Sequence, residues 1–77
     1  MEVRNTKQRD EVLEVYRWSV GQAHLSHLEQ VAKWDSDSPW QNSLFRDLTS
    51  GKQWVVYLAD QAWPGEVRLV SGSVVAT

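Results

Sequence analysis

Ser38-Pro39-Trp40-Gln41-Asn42-Ser43-Leu44-Phe45-Arg46-Asp47-Leu48-Thr49-Ser50-Gly51 is the stretch whose reading decides the fold. Ser38 reads as a helix N-cap, Pro39 as the first helical position and Gln41 as the third, so the start signals are in register. Asp35 and Asp37 stand just upstream, where the positive end of a helix dipole favours carboxylates. Trp40, Leu44, Phe45 and Leu48 then recur at i, i+4, i+5 and i+8 as one apolar stripe. Gly51 suits the left-handed position that closes a helix. The spacing predicts a helix over 39–49.

Upstream, the apolar residues between about Thr6 and Trp34 keep helical phase. At about 100° per residue, Val12, Leu13, Tyr16, Val20, Ala23, His24, His27, Leu28, Val31 and Trp34 share one arc, and Glu11, Glu14, Gln22, Ser26, Glu29 and Lys33 lie opposite. Asn5 and Thr6 are N-cap candidates. A helix of that length would run about 42 Å, and Gly21 is the place for a kink or break. Downstream the period changes to two. Gln53-Trp54-Val55-Val56-Tyr57-Leu58-Ala59 is apolar on both faces and reads as a strand covered on two sides. Pro64-Gly65 is a type II turn pair, and Glu66 to Ser71 returns as a second strand. Val74 to Thr77 then extends that strand, forms a short third strand, or frays.

The predicted architecture is therefore α+β: a long N-terminal helix, either continuous or kinked near Gly21, a second, shorter helix over 39–49, and a C-terminal antiparallel β-hairpin packed on the helices. The 77 residues are expected to make one small domain, 1–77. A net charge of −2 with scattered signs argues against a nucleic-acid binder, and zero cysteines remove disulfides and thiolate chemistry and fit a reducing, cytoplasmic setting. No apolar run approaches a membrane span. Five tryptophans against one phenylalanine and one methionine are the compositional oddity.

Catalytic motifs are sparse. His24 and His27 stand at i, i+3, and with Asp35 or Asp37 they would make a two-histidine, one-carboxylate metal site; the plainer reading is two half-buried histidines. Ser26 lies between them but points away from both, and the glycines form no phosphate loop. A helix-turn-helix pivoting at Gly21 would present Gln22, Ser26 and Glu29 with Lys33 as its one cation, too few for phosphate contacts. What remains is apolar surplus. Val15, Trp18 and Leu25 fall outside the main helical stripe, and Trp63 sits in the hairpin loop without an obvious core to enter. Tryptophan is enriched among binding hot spots.

Leu48-Thr49-Ser50-Gly51-Lys52, leading into a hairpin, resembles the helix-to-hairpin join of small phage head-completion proteins. The resemblance covers a minor part of the chain, lacks a counterpart for that family's second helix, and carries no function across. In size, charge and tryptophan content the chain also looks like the short inhibitors that phages and mobile elements encode. The expected function is non-catalytic protein–protein binding, by a homodimer through the long helix, by capture of a foreign partner, or by both. Val15, Trp18, Leu25 and Trp63 are the expected anchors. No cofactor, nucleic acid or membrane is expected. The alternatives are a small nucleic-acid-associated regulator and a metal-dependent enzyme using His24 and His27.

Overall fold

One helix precedes four strands. In a computed structural model describing residues 1–70, α1 (Arg9–His24) is followed by β1 (Leu28–Ala32), β2 (Asn42–Asp47), β3 (Gln53–Tyr57) and β4 (Glu66–Val70). The strands form one antiparallel meander in the order β1-β2-β3-β4. The register sets Phe45 opposite Trp54 and Gln30, and Val56 opposite Val67. Side chains alternate across a strand, so Phe45, Trp54, Val56 and Val67 share one face. Val12 and Val15 of α1 pack on them together with Leu28, and this is the buried core. Tyr16 meets Phe45 edge-on, Trp18 stacks on Trp54, and the buried Trp54 indole N–H donates to Ser19 Oγ at 3.1 Å. A buried indole needs such a partner, and the serine supplies it from inside the helix.

The helix starts and stops on local chemistry. Thr6 Oγ1 accepts the Gln8 N–H and donates to the Glu11 carboxylate, while Asp10 and Glu11 favour the positive end of the dipole. At the other end the His27 N–H reaches Gln22 O and the Ser26 N–H reaches Ala23 O, with Ser26 left-handed at φ 64°. Those two bonds are a Schellman motif, which satisfies carbonyls that a helix end otherwise strands. Thr6 also bridges to Val67 by two backbone hydrogen bonds, and Asn5 Oδ1 accepts the Leu69 N–H, so residues 5 and 6 cover part of the outer edge of β4.

The structure corrects the expected fold in both helical segments. The long N-terminal helix ends at His24, Gly21 lies within it without a break, and Leu28–Ala32 is an edge strand. Leu28, Glu29, Gln30 and Ala32 are good helix formers, and pairing to β2 overrides that local preference. No second helix occupies 39–49: residues 42–47 are β2, held between β1 and β3. Ser38 does cap, accepting the Trp40 N–H, but the turn it makes leads into the strand. Gly51 is left-handed at φ 80°, in the β2–β3 turn. There Asp47 Oδ1 accepts the Thr49 and Ser50 N–H groups, so the likeness to a helix-to-hairpin join falls on a strand-to-strand turn. The pair 53–57 and 66–70 is present as two of four strands rather than a lone hairpin. The expectations for Ser71 to Thr77 lie outside the described residues. Among those described, no helix is long and apolar enough to cross a membrane.

Candidate functional site

The sheet face turned away from α1 carries Tyr57, Glu66 and Arg68, and two loops fold over its end. One is the β1–β2 connection bearing Asp35, Asp37, Ser38, Pro39 and Trp40; the other is the β3–β4 connection bearing Trp63. Together they line an open hollow of about 310 Å³. Its walls are aromatic. The Trp40 and Trp63 ring centres lie 4.4 Å apart, and Tyr57 meets Trp63 edge-on at 6.0 Å. The Arg68 guanidinium carbon lies 5.4 Å from the Tyr57 ring centre, and Arg68 reaches both Glu66 oxygens, at 3.1 and 3.3 Å.

Two polar residues hold the loops. Asn42, buried at the start of β2, accepts the Asp35 N–H at 2.8 Å and donates to Asp35 O and Trp40 O at 3.1 and 2.9 Å. One amide thus fixes both ends of the Asp35–Trp40 loop. Asp60 does the same for the other loop. Its Oδ1 accepts the Ala62 and Trp63 N–H groups, its Oδ2 accepts the Trp40 indole N–H at 2.6 Å, and its carbonyl takes the Arg9 guanidinium. The Trp40 indole bond, then the backbone N–H of Ala62, hold the Asp60 carboxyl below its ordinary value. Tyr57 donates its hydroxyl to Asp35 Oδ2 at 2.9 Å. Burial, and next that bond to a carboxylate, push the Tyr57 phenol up, so it stays protonated.

The four expected anchors separate. Val15 is turned inward, 7% exposed, into the core, which corrects its expected place on the outer side of the helix. Trp18 is half-buried against Trp54. Leu25 is 63% exposed at the helix end. Trp63 alone lies in the aromatic hollow. Trp40, expected on a helical apolar stripe, lies against it there at a 41° tilt; Asp35 was weighed only as a metal ligand, and Asp60, Glu66 and Arg68 were not singled out as a site. The rings come from three separate segments, so no spacing shows that they meet; the short pattern Asp60-Gln61-Ala62-Trp63, an aspartate poised to bond the N–H groups two and three residues on, was the readable signal. His24 ends α1 and His27 lies beyond its cap, bonded through Nδ1 to Gln22 Oε1, so the pair does not share a helix face. Among the described residues no three His, Asp or Glu side chains gather as a metal site. No family model, curated protein or solved structure gives a match to this chain.

Proposed function

We propose that this is a non-catalytic binding protein that engages another protein through the aromatic hollow at the end of its sheet. The observation that supports this reading is the convergence of Trp40 and Trp63, half-exposed on loops pinned by Asn42 and Asp60, over the buried ring of Tyr57. Half-exposed tryptophans that are already ordered lose little entropy on binding, and such residues anchor interfaces. Three carboxylates around the hollow repel a phosphate backbone, which disfavours a nucleic-acid partner. A cytoplasmic setting suits a chain without cysteine, and the size suits an inhibitor or accessory protein.

A photo-crosslinking residue at the exposed Gln61 position tests the proposal in cells of the source. A discrete adduct with another protein, lost in Trp63→Ala, is the expected outcome. Absence of any adduct, or an adduct indifferent to Trp63→Ala, overturns it. Sizing with light scattering over a wide concentration range separates a second copy of this chain from a foreign partner.

A further inference from the structure

We infer that the hollow takes an organic cation of the alkylated ammonium class, presented by the partner as a methylated lysine. This rests on the protein-binding reading above and names the group recognised.

Charge and aromatic surface coincide here. Asp35 and Asp37 line the hollow and Asp60 bonds its Trp40 wall, yet none of the three has an ion-pair partner among the described residues, whose two ion pairs are Arg46–Glu29 and Arg68–Glu66. Their bonds are to neutral donors instead: the Tyr57 hydroxyl and the Asp37 N–H for Asp35, the Trp40 indole and two backbone N–H groups for Asp60. Hydrogen bonds from neutral groups keep a carboxylate ionised without cancelling its charge. Arg9 stands against Asp60 and Arg68 against Glu66, so Asp35 and Asp37 supply the negative field beside the indole faces, whose quadrupoles also attract cations. Glu66 is satisfied by Arg68, so an anionic ligand would find that guanidinium already held.

The class of cation follows from which contacts remain. A lysine ammonium or an arginine fork seeks short, directed bonds to carboxylate oxygens. Here the oxygens of Asp35 and Asp60 already receive donors, and the exposed Asp37 carboxylate stands where water screens it, which leaves the outer faces of the Trp40–Trp63 pair and a diffuse negative potential. An ammonium shielded by methyl groups asks for just that: it is weakly hydrated, donates few or no hydrogen bonds and buries apolar surface. Trp40 and Trp63, tilted by 41° with centres 4.4 Å apart, leave no slot between the rings, so the cation lies against the pair rather than sandwiched in it. About 310 Å³ accommodates the head group and the end of its alkyl stem.

The experiment titrates the whole protein with trimethyllysine amide, with unmodified lysine amide, with choline, and with 3,3-dimethylbutanol, the neutral isostere of choline. The indole N–H resonances are followed by NMR. Trimethyllysine and choline should shift the Trp40 and Trp63 signals and leave Trp54 in place. The neutral isostere should bind about ten-fold more weakly, the weight of a partly desolvated cation–π contact. Trp63→Ala should abolish the shifts. Asp37→Asn, which changes charge at an exposed side chain whose backbone makes the loop bond, should weaken binding about two- to three-fold and lose that effect at high salt. Equal binding of isostere and cation, tighter binding of unmodified lysine, or no shift of Trp40 and Trp63 overturns the inference. A peptide bearing trimethyllysine binding no better than choline places the source in a free small molecule and overturns the methylated-lysine assignment. A Gln61 adduct that persists without any ammonium response would leave the protein-binding proposal standing and this one refuted.

Discussion

Gly65→Ala compared with Gly51→Ala isolates how tightly the β3–β4 connection is threaded between sheet and helix. Both glycines are left-handed, at φ 88° and 80°. A Cβ at Gly51 meets nothing within 4 Å, whereas one at Gly65 would lie 2.6 Å from Tyr57 O, 3.0 Å from Ala59 N and 3.1 Å from Val12 Cγ1. Alanine in the left-handed region costs about 1–2 kcal/mol, and the stiffer unfolded chain returns about 0.4–1 kcal/mol of it. Gly51→Ala should therefore lose about 1 kcal/mol. At Gly65 the two nearest atoms belong to backbone and cannot rotate away, so overpacking adds about 1–3 kcal/mol, for a loss of about 3 kcal/mol. Urea unfolding followed by far-UV circular dichroism reads both variants, and with a slope of about 1 kcal/mol/M the midpoints should separate by about 2 M. Midpoints of the two variants within about 0.5 M of each other would refute the close approach of Gly65 to β3 and α1.

Trp54→Ala removes the ring on which Phe45 and Trp18 stack and strands Ser19 Oγ, so a loss of about 3–5 kcal/mol is expected, enough to unfold much of the population in thermal melts. Asn42→Ala deletes three hydrogen bonds at one buried site and should cost about 2–4 kcal/mol at about 1 kcal/mol each, with loss of the near-UV signal of Trp40; an unchanged signal would count against Asn42 as the clamp. Acid should loosen the hollow. Asp60 has its folded pKa below the unfolded value, so its contribution is present above the unfolded value and is lost as pH falls through the folded one; the Trp40 and Trp63 signals should weaken in that acid window in wild type and be absent from it in Asp60→Asn.

The sequence made β3 readable because its β-branched and aromatic run is apolar on both faces, with Trp54 and Val56 toward α1 and Val55 and Tyr57 away, and β4 readable because Val67 and Leu69 alternate after the Pro64-Gly65 turn. It concealed β2 because the positions that the strand buries include Asn42 and Ser43, polar side chains satisfied by bonds to distant or loop partners such as Gln30. With those two counted as polar, only the helical spacing of Leu44, Phe45 and Leu48 is visible. Likewise the end of α1 carries serine rather than glycine at its left-handed position, so nothing announced the stop. The candidate site was legible at Trp63 alone. Its remainder depends on the meander, which brings positions 35–40 and 57–68 to one end of the sheet.

The tie between Asn5 and Leu69 joins residues 64 positions apart, whereas each strand of the sheet pairs with its neighbour in sequence. Short loops close quickly and cheaply, so the three turns can zip before the two ends meet, and the outer edge of β4 is fastened last. Chain ends and sheet edges open at lower free energy than the centre of a sheet. The amide hydrogens of Val67 and Leu69, both bonded to residues 5 and 6, should then exchange with solvent faster than those at the centre of the sheet. Each such opening bares the outer edge of the strand that carries Glu66 and Arg68, so the latch ties the first residues of the chain to the rim of the hollow.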